Sequence, residues 1–209
     1  ARMIPGPHLS IGWRADWPQP PEGDVWSGAS RPDGVIWFAP SSFSPETLES
    51  LAKQIAAKRA AASNDPADFT IVLDLPPEAA FGPRAAVTEL SRRAILLWAA
   101  LSLGDQRSGA GGSPPPVRLG VLAPWTRDDQ ARPPLTPTAV LATLKTLSEL
   151  LAPSRAVGRL ITESDIHAVI LARTVNQPDG SSHRTVTLAV WSDRPAHQGE
   201  HATLRTYLG

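Results

Sequence analysis

The 209-residue sequence contains no cysteine, and only three lysines, one tyrosine and one methionine. Without thiols there are no disulfide staples, no cysteine nucleophile and no cysteine-ligated zinc or iron–sulfur centre. A cysteine-free chain folds equally well in oxidising or reducing surroundings, so this absence does not set the compartment. Lys53, Lys58 and Lys145 all fall in predicted helices, and no Gly-x-x-x-x-Gly-Lys-Ser/Thr loop exists to cradle a phosphate. No Gly-x-Gly-x-x-Gly follows a strand; Gly109, Gly111 and Gly112 run into a strand, where no helix N-terminus waits for a pyrophosphate. A Gly-x-Ser-x-Gly nucleophile elbow is missing too. Net charge is also absent, with 20 basic residues against 20 acidic ones. That balance removes the footprint of a general nucleic-acid or anionic-membrane binder. The longest apolar run, Ala94 to Leu101, is far too short to span a bilayer. No charged-then-apolar signal segment opens the sequence, which favours a soluble, cytoplasmic chain starting natively at Met3. These absences predict no cofactor and no catalytic residue.

What the chain does have is 22 prolines and seven tryptophans. Residues 1–32 are a strap rich in both, with a short strand expected over 8–13 and Trp13, Trp17 and Trp26 as large aromatics. Flat indole faces can stack on sugars or prolines, but an irregular strap equally needs anchors, and anchoring is the favoured reading. Residues 33–192 read as a single α/β domain, and residues 193–209 as a polar tail.

Within the domain, apolar runs at 34–38, 69–75 and 117–123 end in prolines, as strands buried on both faces do. Helical periodicity follows each of them. Ser44-Pro45 starts the first helix, with Leu48, Leu51, Ala52 and Ile55 along one side. The second begins near Pro83 and is expected to end at Gly104 in a left-handed cap, with Val87, Leu90, Ala94, Leu97, Trp98 and Leu101 as a broad stripe. The third is expected to be capped by Thr136-Pro137 and to turn Val140, Leu141, Leu144, Leu147 and Leu151 inward before Pro153 stops it. Residues 104–116 read as a Gly/Ser/Pro-rich surface loop. Residues 167–175 and 184–192 alternate better than the earlier strands, and Pro178-Asp179-Gly180 between them supplies a turn. The fold expected is α/β: a three-layer, Rossmann-like, mostly parallel sheet with helices on both faces and a C-terminal antiparallel hairpin added to it.

Two places carry chemistry worth testing. Ligands of open parallel sheets bind beyond the carboxyl ends of the strands. Those ends offer Ser41 and Ser42 after the first strand, Asp74 inside the second, and Trp125, Arg127 and Asp128 after the third. A carboxylate, a stacking indole and a guanidinium would suit a small polar or carbohydrate ligand; the competing reading makes Asp74 a cap or ion-pair partner and Trp125 a plug. The second place is His197-Gln198-Gly199-Glu200-His201, which spells the inverted zinc-protease pattern. Asp193, His197 and His201 stand four residues apart, but Pro195 and Gly199 oppose the helix that would align them on one metal. A polar tail with accidental spacing is the favoured reading there.

Residues 33–162 resemble the C-terminal half of a short-chain dehydrogenase/reductase. The runs DGVIWFAP, FTIVLDLP and VRLGVLAP are similar to that family's fourth, fifth and sixth strands, and PRAAVTELSRRAILLWAALS to the helix after its catalytic lysine. The family's Tyr-x-x-x-Lys pair, in which lysine lowers the tyrosine's pKa for proton transfer, would fall on Ala80 and Arg84. The glycine fingerprint is missing as well, and the hairpin has no counterpart. The resemblance therefore implies a truncated, catalytically silent relative. It also implies that the apolar helix from Pro83 to Leu103 packs against a partner subunit, as its equivalent commonly does in the family.

Two functions follow from this reading. One is a non-catalytic module that acts through protein–protein assembly, as subunit or scaffold, with a protein partner or a second copy on that helix. The other is a binding protein or enzyme for a small molecule or carbohydrate, with its site at the strand ends.

Overall fold

The computed structural model of the chain describes residues 10–14, 34–61, 68–76, 81–107, 117–122, 125–127, 135–161, 166–176 and 180–192. Strands β1 (Ser10–Arg14), β2 (Gly34–Ala39), β3 (Asp68–Leu73) and β4 (Val117–Val121) form one sheet, parallel throughout, in the order β1-β2-β3-β4. Helix α1 (Pro45–Ala61) connects β2 to β3, and α2 (Pro83–Arg107) connects β3 to β4. Parallel neighbours need such crossovers, and crossovers are right-handed. Two of them made in the same direction along a sheet place their helices side by side, and α1 does pack on α2. Among the described strands the order β1-β2-β3-β4 does not reverse, so they form no switch point of the kind that opens a ligand crevice.

Alternation along each strand sorts the side chains. Trp37, Ala39, Phe69, Ile71 and Leu73 are buried on the side that packs with the helices, with Val117, Leu119 and Val121 partly buried beside them. From α1 come Leu48, Leu51, Ala52 and Ile55, as the periodicity predicts. Ser44 opens that helix by accepting the Thr47 N–H on its hydroxyl at 3.3 Å.

Helix α2 is the centre of the molecule. It packs on α1, on α3 (Ala139–Leu151) and on two strands of a second sheet. Ala86, Leu90, Ala94, Leu97 and Leu101 are buried along one stripe, and Leu96 and Ala99 are buried beside it. The stripe expected to meet a partner subunit is thus covered within the chain itself. Gly104 lies inside the helix, which runs on to Arg107, instead of capping it. An interior glycine costs only about 1 kcal/mol relative to alanine, so it does not force a stop.

Three further differences from the sequence reading concern the second half. Thr136 and Pro137 belong to β6 (Leu135–Pro137), which pairs antiparallel with β5 (Trp125–Arg127) as a separate two-stranded ribbon. The N-cap of α3 is Thr138, whose side chain makes no capping hydrogen bond. Residues 155–161, unassigned in the sequence, form β7 (Arg155–Ile161). A register shift between Ala156 and Gly158 breaks the alternation that would have revealed the strand. Finally, the expected hairpin of β8 (Ile166–Asn176) and β9 (Ser182–Ser192) is present, but it joins β7 in its own antiparallel sheet, in the order β7-β8-β9, and does not extend the parallel one. Gly180 holds φ at +82° between the two strands, a conformation glycine adopts at no steric cost.

Among the described residues, no helix is long and apolar enough to cross a membrane.

Candidate functional site

At the carboxyl ends of β2 and β3 the structure brings Ser41 and Asp74 together. The Asp74 backbone N–H continues the ladder by donating to the Ala39 carbonyl at 3.0 Å, so Asp74 stands just beyond β3 and not inside it. Its carboxylate accepts from the Ser41 N–H at 3.5 Å and the Ser41 hydroxyl at 3.4 Å. Ser42 is exposed next to them. Trp125 and Arg127 stand at the two ends of β5, and their side chains fall outside the described residues. Asp128 is likewise outside them, as are Asp193, His197 and His201. Among the described residues there is no group of three or more metal-ligating side chains.

The organising residue at these strand ends is Arg93, which sequence reasoning missed. It sits among the apolar positions of α2 and is 1% exposed. One guanidinium nitrogen donates to the Asp74 carbonyl at 2.7 Å; the other donates to the carbonyls of Pro40 and, at 3.4 Å, of Phe43. Glu89, one turn earlier, approaches its Nε at 3.6 Å. Burial lowers the Arg93 pKa below its ordinary value, opposed by the charges of Glu89 and Asp74. A guanidinium is never deprotonated in practice, so the cation persists. The signal available in the sequence was an arginine at a position where helical periodicity required an apolar residue: Leu90, Ala94 and Leu97 flank it along the stripe. This arrangement ties two parallel strands to the central helix through main-chain carbonyls. Arg93 is engaged by those acceptors and acts as a brace, whereas the Asp74 carboxylate meets Ser41 only at 3.4–3.5 Å in an exposed setting.

A groove of about 430 Å³ runs between α2, α3 and the β4 edge. It is lined by Trp98, Val117, Leu119, Leu141 and Leu144, with Lys145 and Ser148 as its polar members. The Trp98 indole N–H is used in holding the start of β7, donating to the Ser154 carbonyl at 3.0 Å.

The antiparallel sheet has two unlike faces. Ala156, Val169 and Leu171 are buried on the inner one, where Arg159 also pairs with Glu49 of α1 and ties the sheet to the helical layer. At the far end of that face the rings of His167 and Trp191 stack, with centroids 5.3 Å apart and planes 12° from parallel. The charge of His167 acts on Glu46 in the first turn of α1. On the outer face, register brings together Leu160, Ile170, Val186, Leu188 and Val190, over a floor of Ala168, Ala172 and Gly158. Val186 is 51% exposed, Val190 44% and Leu160 36%, and Val157 at the bulge is 40% exposed. Four of the six large apolar side chains exposed among the described residues therefore belong to β7 and β9. Scattered exposed apolar residues mean little, whereas a contiguous patch marks a contact surface. The hairpin was legible in the sequence; this face was not, because β7 was not recognised.

Comparison of the chain with protein-family models, curated proteins and solved structures gave no match.

Proposed function

We propose that the chain is a non-catalytic α/β module that works through protein–protein assembly, and that the outer face of β7–β9 is its contact surface. The observation that carries this reading is the exposed cluster of Leu160, Val186 and Val190 on one side of a three-stranded sheet. Water-exposed valines opposite alanines on a central strand gain by being covered, at roughly 25 cal/mol for each Å² of apolar surface removed from water. The brace at the strand ends supports the non-catalytic part, since its cation is held by main-chain carbonyls. The assembly surface differs from the one the family resemblance implies, because α2 is enclosed. Kinship with a Rossmann-like, three-layer short-chain dehydrogenase/reductase half remains part of the proposal. The β2-α1-β3-α2-β4 order supports it, while Ala80 and Arg84 at the places of the family's tyrosine and lysine depart from it.

The test is affinity capture with the wild-type chain and with Val186→Lys/Val190→Lys, each shown to be folded by circular dichroism. Assembly through this face requires a protein, whether a copy or another chain, that the wild type retains and the double variant loses. Equal capture by both would refute the reading.

A second reading, a small-molecule binding protein, is favoured by the groove beside Trp98. It places the ligand at the β4 edge rather than at Ser41 and Asp74, and its lining calls for an apolar ligand rather than a carbohydrate. Saturable quenching of tryptophan fluorescence by an apolar ligand, abolished in Leu144→Trp, would separate it from the assembly reading.

A further inference from the structure

We infer that the groove between α2, α3 and the β4 edge holds a medium-chain alkyl carboxylate, its hydrocarbon on the apolar floor and its carboxylate against Lys145. This rests on the small-molecule reading above and adds to it the chemical class of the ligand and the residue that selects it.

The groove has the size of such a ligand. Its volume of about 430 Å³ falls within the range of small-molecule sites, about 300–1,000 Å³. At about 30 Å³ for each water-sized group, it holds roughly 14 of them, as many as the heavy atoms of a twelve-carbon acid. The floor is apolar, with Trp98 from α2, Val117 and Leu119 from β4, and Leu144 and Leu151 from α3. Alternation turns Arg118 to the opposite face of β4 from Val117 and Leu119. Successive residues of α3 advance by about 100° around its axis, which carries the lining from the floor at Leu144 to the rim at Lys145. Glu149 stands about 40° further round, beyond Lys145 and away from the floor. Burial agrees with this order: Leu147 and Leu151 are buried, whereas Lys145 and Ser148 are exposed.

The hydrogen-bonding inventory then selects the head group. The described lining has three polar side chains: Trp98, Lys145 and Ser148. The Trp98 N–H is spent on the Ser154 carbonyl at 3.0 Å, and the Ser148 hydroxyl donates to the Lys145 carbonyl at 2.8 Å. No ion pair engages Lys145 among the described residues. Its ammonium has three donors and no acceptor. A matching ligand brings hydrocarbon to the floor and an acceptor to the rim, and an ionised acceptor makes the stronger bond. A carbohydrate would strand its hydroxyls against the leucines. A cationic amphiphile would set like charge against Lys145.

Isothermal titration calorimetry with dodecanoate, below its micelle-forming concentration, tests this. Binding should saturate at one molecule per chain. Dodecanol should bind about fivefold more weakly, the worth of one solvent-exposed ion pair, and added salt should narrow the difference. Lys145→Met, at an exposed position, should bring dodecanoate down to the affinity of dodecanol while leaving dodecanol unchanged; a merely structural role would alter both. Leu144→Trp, shown to be folded by circular dichroism, should lose both probes by filling the floor. Equal affinity for the two probes in the wild type, or a preference for dodecanoate that survives Lys145→Met, overturns the anionic class and leaves the small-molecule reading standing. No saturable binding of either probe, or binding that persists in folded Leu144→Trp, overturns the groove as a ligand site and that reading with it.

Discussion

Replacing Arg93 with alanine should destabilise the protein by about 3–5 kcal/mol, the range for removing one member of a buried charged network. The figure is built from parts. Two short charge-assisted hydrogen bonds, to the carbonyls of Asp74 and Pro40, are lost, and acceptors left without a donor cost about 1–3 kcal/mol each. Packing of the side-chain methylenes contributes about 0.8 kcal/mol per group. The contact with Glu89, whose side chain is 30% exposed, is screened by solvent and adds a few tenths of a kcal/mol, roughly. Against these stands relief from desolvating the guanidinium, the same effect that lowers its pKa. Two further variants divide the contributions. Arg93→Met keeps most of the volume and should cost about 2–4 kcal/mol, because the carbonyls still lose their donor. Arg93→Lys keeps the charge but presents a point donor in place of a fork, and should cost about 2 kcal/mol. Urea unfolding followed by far-ultraviolet circular dichroism measures all three, provided the slope is unchanged. A cost below about 1 kcal/mol for Arg93→Ala, or Arg93→Met as stable as the wild type, would refute the view that this guanidinium braces the strand ends.

Two other outcomes follow from the same region. Asp74→Asn should change stability by less than about 0.5 kcal/mol, since the carboxylate's bonds to Ser41 are long, in an exposed setting, and an amide oxygen can accept them. A loss above about 2 kcal/mol would show that the carboxylate has a deeper role. Glu46 has its carboxyl held below the ordinary 4.5, first by its own backbone N–H, then by the Ser44 hydroxyl, with a smaller contribution from His167. A depressed carboxyl pKa in the folded state stabilises above the unfolded value, and that stabilisation fades as pH falls through the folded value. Glu46→Gln should therefore melt slightly below the wild type at neutral pH, and the two melting curves should converge between about pH 5 and about pH 3; curves that stay parallel would contradict this.

The sequence by itself determined the secondary structure wherever a periodicity was uninterrupted and its boundaries carried strong local chemistry. The runs at 34–38 and 69–75 became β2 and β3, Ser44-Pro45 opened α1, and Leu48 through Ile55 turned inward as their spacing required. These are short-range effects, set by backbone sterics and by neighbours a few residues apart. It failed at β7, where a bulge upset the alternation, and at Gly104 and Thr136, where a local stop or cap signal was outweighed by the surroundings.

Tertiary structure alone decided which apolar surfaces are inside. The periodicity of α2 is equally compatible with a central helix and with one at a subunit interface; only the packing of α1, α3 and β7 around it distinguishes them. Arg93 could be noticed in the sequence as a misfit, but its partners at Pro40 and Asp74, 53 and 19 residues away, are set by the crossovers. The same holds for the outer sheet face. Leu160, Ile170, Leu188 and Val190 come from three separate strands, and only the register of β7, β8 and β9 makes them one surface. Local interactions choose helices and strands, whereas burial is a property of the assembled chain, because whether an apolar side chain meets water depends on neighbours that the sequence does not place beside it.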